Sequence, residues 1–321
     1  MESKTVEMLE NMNGRVCVVG SMNADYTITT QRLPCPGETV TGGPLRVLPG
    51  GKSANQAACS AKLGSDVCLL GAIGTDDTGQ FLMDKLEDAG VDTSSIMKVE
   101  GASGTTVIMV DGQGENSIVY APGANADLSV EYIQKVAPQI RQARVLGLCL
   151  ESPMDAVIEA AKIAHEAGVC VLLNNSPFMP KLPQELIEAC DILLLNEHEM
   201  AQFLDLEEPD DGNWKSFDWW AAAKGISNLG FTSSIVTLGA HGSIVLEGDS
   251  LHKVQARRVT CVDTTGCGDA FMGCILSGLA AGYSLNDCAD AASYVGAYAA
   301  CGAGAQSSYG TSQQIIARFD A

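Results

Sequence analysis

The stretch "VLGLCLESPMDAVIEAAKIAHEAGVCVLLNN", residues 145–175, decides the fold class. It opens on a short apolar run (145–151), passes through a segment with Ala, Val and Ile at helical spacing (154–168), and closes on a second apolar run (169–175). Neither apolar run alternates with polar residues, so both faces of each strand are expected to be covered. A strand, a helix and a second strand in that order form a crossover unit, which joins parallel neighbours. The rhythm continues in both directions. Apolar runs at 15–20, 67–74, 191–196, 233–239 and 259–263 predict further strands, and the segments 53–64, 77–90 and 269–282 predict helices. The expected architecture is α/β: three layers, doubly wound, with a mostly parallel sheet and helices on both faces.

Two regions break this rhythm. Residues 25–48 and 105–122 alternate with period two and carry Gly and Pro turns, and "DGQG" (111–114) separates two alternating runs as a hairpin turn does. They predict a small, mostly antiparallel β-sheet lying as a lid over one end of the main sheet. A single α/β domain is expected over 15–321, with the lid strands inserted and residues 1–14 as a frayed or helical N-terminal extension. The acidic "EEPDDGN" (207–213) reads as a surface loop and Trp219-Trp220 as a packed aromatic pair.

Bulk composition excludes several classes. Nineteen basic residues against 39 acidic ones give a net charge of −20, which opposes nucleic acid and anionic membrane surfaces. The twelve cysteines are scattered, form no C-x-x-C, and often sit inside apolar runs; they read as reduced, buried, small hydrophobes. Four histidines without metal-ligand spacing argue against a zinc site. The first 13 residues contain acids and no apolar core of a signal peptide, and no apolar run reaches membrane-spanning length. A cytoplasmic protein that binds small molecules is expected.

The polar clusters follow the predicted strands. "GSMNAD" (20–25), "ESP" (151–153), "NNSP" (174–177), "NEHE" (196–199), "LGAHG" (238–242) and "DTTGCGD" (263–269) each come directly after an apolar run. In a parallel sheet the carboxyl ends of the strands lie along one edge, where ligands bind. Clusters distant in sequence should therefore meet on one rim.

The last of these holds the chemistry. Gly266, Cys267 and Gly268 precede the predicted helix, where free backbone N–H groups and the helix dipole make an anion-binding concavity. Asp269 puts a carboxylate beside it. Taken alone, Asp269 is equally an acid complementing a helix terminus or a catalytic base. If the anion is a phosphoryl group in transfer, the N–H groups hold its oxygens and Asp269 takes the proton of the attacking hydroxyl. The segment is neither a G-x-x-x-x-G-K-[ST] loop nor a full G-x-G-x-x-G dinucleotide fingerprint.

"DTTGCGD" resembles the D-T-x-G-x-G-D signature of the ribokinase-like (phosphofructokinase-B-type) sugar kinases. "GSMNAD", "PGETVTG", "GGKSANQAA", "GENSIVYAPGANADLS", "LESP" and "NEHE" are similar to the other motifs of that family, in order, from about residue 15 to about 315. The resemblance implies ATP-dependent phosphorylation of D-ribose at O5. It implies that Asn23, Ala24, Asp25, Gly51, Lys52, Asn55 and Glu151 line the sugar pocket, with Asp269 as base and Gly266, Cys267 and Gly268 as anion hole. It places Asn196 and Glu199 on phosphate and Mg²⁺ through water, Thr237, Gly239 and Gly242 in the nucleotide loop, and Ser293 against the adenine, where a serine cannot stack. Gly268 also faces the nucleotide. It further implies a K⁺ site at Asp263, Thr265, Ala299, Gly302, Gly304 and Ser308, built mostly from carbonyls. The exposed edges of so small a lid sheet predict a homodimer through it. For Asn196 and Glu199 a helix-capping arrangement is the competing reading, and for Cys267 the simplest role is to be small.

Kinases of the same fold acting on deoxyribose, a ketohexose or a nucleoside are the nearest rivals. A non-catalytic sugar sensor is disfavoured by Asp269, Asn196 and Glu199, and an NAD-linked oxidoreductase by the missing fingerprint.

Overall fold

The computed structural model describes residues 1–209 and 212–320, so part of the predicted acidic loop, residues 210–211, lies outside the described residues. An eight-stranded sheet runs through the molecule. Its strands are β1 (Arg15–Val19), β4 (Asp66–Leu70), β9 (Val145–Leu148), β10 (Cys170–Asn174), β11 (Ile192–Asn196), β12 (Ser233–Thr237), β13 (Ser243–Glu247) and β14 (Ser250–Val254), in the spatial order β14-β13-β12-β11-β10-β9-β1-β4. Neighbours are parallel from β4 to β12, and the β13–β14 edge is antiparallel. The absence of alternation in the apolar runs has the expected cause. Val16 and Val18 of β1 enter one apolar core, while Cys17 and Val19 enter the other.

The first core is closed by α1 (Ser3–Glu10), α2 (Lys52–Lys62), α3 (Asp77–Asp88), α10 (Cys267–Ala280), α11 (Leu285–Ala299) and α12 (Ser312–Phe319). The second is closed by α4 (Val130–Lys135), α5 (Ala137–Gln142), α6 (Met154–Glu166), α7 (Gln184–Glu188), α8 (Glu197–Phe203) and α9 (Trp219–Leu229). The chain passes from β1 to β4 at one side and returns to β9 at the other. The strand order thus reverses at β1, and the crevice beyond the carboxyl ends of β1 and β9 is where an open α/β sheet binds ligand.

A second sheet forms the lid: β2 (Asn23–Thr29), β3 (Arg46–Gly50), β7 (Gly104–Val110) and β8 (Asn116–Ala121), ordered β3-β2-β7-β8. Its outer pairs are antiparallel and β2–β7 is parallel. One transverse row, Leu48-Asp25-Thr106-Tyr120, shares the face of Asp25. The adjacent row, Val47-Tyr26-Val107-Val119, lies on the opposite face and is apolar across all four strands.

Four expectations need correction. Residues 259–263 form no strand; they are a loop whose Val262 is 63% exposed, and the β13–β14 hairpin takes the sheet edge instead. The predicted strand 67–74 divides at Gly71, and β5 (Ala72–Gly74) leaves the main sheet to pair with β6 (Met97–Val99). The helical reading of residues 1–14 holds, but they do not merely extend the domain: α1 buries Met8 and Leu9, and Met12 follows them into the core. Finally, Trp219 and Trp220 are not a packed pair. Trp219 is buried against Trp214 and Phe217, with centroids 6.1 and 5.0 Å away, while Trp220 is exposed. Successive helical residues point about 100° apart, so on a helix covered along one side Trp220 turns to solvent when Trp219 turns inward.

Candidate active site

The helix α10 starts two residues earlier than its sequence suggests. Gly266 is its N-cap, Cys267 and Gly268 form its first turn, and Asp269 is the third helical residue. Gly266 has φ 74°, and a Cβ there would stand 2.5 Å from the Ala305 side chain, so glycine is needed twice over. No side chain caps this end. A Cβ on Gly268 would meet no atom within 4 Å, so the terminus faces open space. Uncapped N–H groups at the start of a 14-residue helix attract an anion.

Asp269 is held by the neighbouring helix. Its Oδ2 accepts from Asn55 Nδ2 at 2.9 Å and its Oδ1 from Gln56 Nε2 at 3.1 Å. Burial pushes its carboxyl up to about 6, against the pull of the Lys52 ammonium and the two amides. Burial by itself would lower Lys52, but the Asp269 and Glu151 carboxylates outweigh it and hold the ammonium above its ordinary value.

The residues expected at the sugar meet around the start of α2. Gly51, with φ 90°, is the N-cap, and a Cβ there would lie 2.8 Å from Ser21 O and 2.9 Å from Asn23 N. That contact brings the segment after β1 against the start of α2. Glu151, just beyond β9, accepts from the Lys52 backbone N–H at 3.0 Å and from the Ser21 hydroxyl. Asp25 accepts from the Thr106 hydroxyl across β2–β7; burial raises its carboxyl, with the Glu151 charge adding to it. Ala24 is buried. Asn23 is turned inward, its Oδ1 accepting from Asn125 Nδ2 at 2.8 Å.

On the other side of the rim, Asn196 and Glu199 form a capping box on α8. Asn196 Oδ1 accepts from the Glu199 N–H at 2.8 Å, and Glu199 Oε2 accepts from the Asn196 N–H at 2.9 Å. The capping reading is therefore realised. Glu199 still faces the site: burial raises its carboxyl, against its backbone bond to Asn196 and the charge of Lys52. Thr237 ends β12 with its hydroxyl on Leu195 O at 3.4 Å. Gly239 begins a short 3-10 turn that ends at Gly242, where a Cβ would stand 1.9 Å from Val254 O. Ser293 receives Arg257 Nε at 3.1 Å and donates to Asp290 O, and the Arg257 guanidinium lies 4.1 Å from the Tyr294 ring centroid.

The remaining cluster laces two loops together. Asp263 Oδ1 accepts from the Thr265 N–H at 2.9 Å and Oδ2 from the Gly304 N–H at 2.8 Å. Ala300 O accepts from Val262 N, Ala299 O from Gly302 N, and Ser308 Oγ donates to Ala305 O. A Cβ on Gly302 would reach 2.8 Å from Ser308, so these turns pack closely.

Five of the six expected rim clusters follow strand ends; the sixth, "DTTGCGD", follows a loop instead. In the "NNSP" cluster Asn175 bonds the Met179 backbone, while Ser176 O accepts from Leu150 N at 2.9 Å, next to "ESP". Ser21, Gln56, Thr106, Tyr120, Asn125 and Gln306 were missed. Gln56 adjoins the singled-out Asn55, and Thr106 and Tyr120 share the lid row of Asp25. That register was the one signal able to reveal the lid pair.

Residues 13–312 match the pfkB family carbohydrate kinase profile. The chain is 34% identical to the ribokinase of Haemophilus influenzae over 306 residues, spanning 95% of this chain and 98% of that protein. It is 32% identical to the deoxyribokinase of Salmonella typhi, spanning 94% and 97%. The structure of Arabidopsis thaliana ribokinase complexed with ribose and ATP superposes with a TM-score of 0.87 at 30% identity, covering 95% of this chain and 98% of the other. Motif order, the sheet with its lid, and similarity across nearly the whole chain agree, and the chain belongs to the pfkB family of carbohydrate kinases.

Proposed function

We propose that the protein transfers the γ-phosphoryl group of ATP to O5 of D-ribose. One observation carries the reading: a partly buried carboxyl, Asp269, stands on the first turn of an uncapped helix beside Lys52 and Asn55. In its ionised form Asp269 takes the O5 proton as O5 attacks the γ-phosphorus. The bond from that phosphorus to the β–γ bridging oxygen breaks, and ADP leaves with the bond's electrons. Donors preorganised at the start of α10 stabilise the charge on the transferring oxygens. Asp25, Asn55, Lys52 and Glu151 orient the sugar, and the turn at Gly239–Gly242 lies under the nucleotide. The Arabidopsis relative is complexed with ribose and ATP, the same two ligands.

Among the described residues no group of three or more His, Cys, Asp or Glu could hold a metal by itself. Mg²⁺ arrives on substrate phosphates and needs one or two protein carboxylates. Glu199 would face it through water, and the ion would neutralise phosphate charge. A K⁺ site is supported by Asp263: partial burial raises its carboxyl, but the Gly304 and Thr265 N–H groups hold it below its ordinary value and thus charged beside two tight turns. All twelve cysteines are free, which suits a reducing cytoplasm; no described helix is long and apolar enough to cross a membrane. The apolar row on the lid supports a homodimer.

The test is ADP release across ribose, 2-deoxyribose, a ketohexose and a nucleoside. Ribose should give the highest kcat/KM, and its product should carry phosphate on O5. Deoxyribose is the second reading, favoured by the 32% identity to a deoxyribokinase. No ATP turnover with any of these sugars would overturn both.

A further inference from the structure

We propose that Gln56 and Gln306 are positioning residues for the base: Gln56 fixes the Asp269 carboxylate directly, and Gln306 fixes it by locking the side-chain amide of Asn55. The inference rests on Asp269 being the base and assigns roles to two residues outside the sugar, nucleotide and cation sets.

A carboxylate can rotate about its last side-chain bond, and a base must aim one lone pair along the path of the leaving proton. In Asp269 each oxygen is caught by a different amide, Oδ1 by Gln56 and Oδ2 by Asn55, so rotation breaks two bonds at once. The Asn55 amide has two ends, and only its Nδ2 can donate. Turned over, it would press a carbonyl oxygen against the carboxylate. Gln306 decides between the two orientations. Its Nε2 donates to Asn55 Oδ1 at 3.1 Å, which leaves Nδ2 for Asp269. Gln306 is itself fixed through its backbone: Lys62 Nζ reaches Gln306 O at 2.8 Å and Tyr309 O at 3.1 Å. Helix α2 therefore carries the amides at one end and clamps the loop that locks them at the other.

Gln56 adds an argument from cost. It is fully buried, and its Oε1 has no hydrogen-bond partner. An unpaired buried carbonyl oxygen destabilises a fold, and an apolar side chain of the same length would not incur that loss. Packing does not explain a glutamine here. The bond from its Nε2 to Asp269 does.

The pH readout depends on what else faces Asp269. Lys52 and Cys59 face it from α2, Glu151 from beyond β9, Tyr309 from the loop before α12, and Cys267 from its own helix. Burial pushes Cys59 up to about 12 and Cys267 up to about 11, and raises Tyr309 well above its ordinary value, so these three stay neutral near neutrality. Both amides favour the charged carboxylate, so losing either raises the pH at which Asp269 takes up a proton.

The experiment compares Gln56→Met, Gln306→Leu and Gln306→Glu with the parent enzyme, assayed with ATP and ribose. Each should lower kcat roughly tenfold to a hundredfold and move the acid limb of kcat/KM to higher pH. Gln56→Met should keep or raise the thermal midpoint, which a purely structural glutamine would not allow. Gln306→Glu preserves size and reverses the hydrogen-bond sense, so it should match Gln306→Leu even if the latter folds poorly. In an Asn55→Ala background, Gln306→Leu should change kcat less than about twofold, because its route to the base is gone. Folded variants with parental kcat and an unmoved acid limb would overturn the positioning role, as would a Gln306 effect that persists without Asn55. Asp269→Asn serves as the separate control: if it stays active, the base reading itself fails.

Discussion

Asp269 and Asp263 lie in the same motif, yet their carboxyls are tuned in opposite directions. Burial raises Asp269 to about 6 against the Lys52 charge and two amides, while two backbone N–H groups overcome partial burial and keep Asp263 low. The first suits a proton acceptor near neutrality, the second a permanent charge. As pH falls through about 6, Asp269 becomes protonated and cannot act as base. The kcat/KM profile of the free enzyme should therefore lose activity there, rather than near the ordinary carboxylate value of about 4. Asp269→Asn should lower kcat by roughly 10²–10⁴ while ribose binding, followed by calorimetry, persists; near-parental turnover would remove its role. Cys267 illustrates the opposite outcome. It sits on the first turn of a helix, a place that lowers thiol values, yet burial pushes it up to about 11. Alkylation by iodoacetamide at neutral pH should be slow at this position by mass spectrometry, and rapid loss of activity through Cys267 labelling would contradict that.

At the scale of elements, what was legible in the sequence follows from periodicity. The crossover unit 145–175 and the alternating lid strands appear as read, because one buries both faces and the other presents two different ones. The run 259–263 misled because β-branched residues describe a strand's surface but cannot supply a neighbour to pair with. Here β13 and β14 already occupy that edge. Gln306 was illegible for a related reason: it lies 251 residues from Asn55, and no local pattern joins them. The lid row Val47-Tyr26-Val107-Val119 carries a prediction. Val119 is 64% exposed and Val107 44%, and both lie on the face turned away from Asp25. A sheet with such a face and two free edges is well served by a second copy. The protein should sediment as a dimer at micromolar concentration, and Val119→Lys should yield folded monomers. A monomeric parent protein, or a dimer unaffected by the charge, would count against this contact.

Across the whole molecule, helix α10 and the loop that precedes α12 are joined at one carboxylate. Asp263 bonds the turn leading into α10 through Thr265, and bonds the glycine-rich loop through Gly304. Tyr309 closes the same junction from the far end of that loop, donating to Gly266 O at 2.9 Å. The N–H groups at the start of α10 thus inherit their placement from contacts with Asp263 and Tyr309. A K⁺ ion held by carbonyls of these two segments would stiffen the turn without touching substrate. Donors that need not rearrange during transfer are the ones that lower a barrier. Removing K⁺ should therefore reduce kcat more than it weakens ATP binding, and Na⁺ should replace it poorly in a ring of carbonyls suited to the larger ion. Because the ion would bind only the folded chain, K⁺ should also raise the thermal midpoint in the absence of nucleotide. The measurements are initial rate and melting temperature against KCl, with ionic strength balanced by a tetraalkylammonium salt. Flat profiles in both would remove the cation from the Asp263 junction, leaving Asp269 and the start of α10 to act without it.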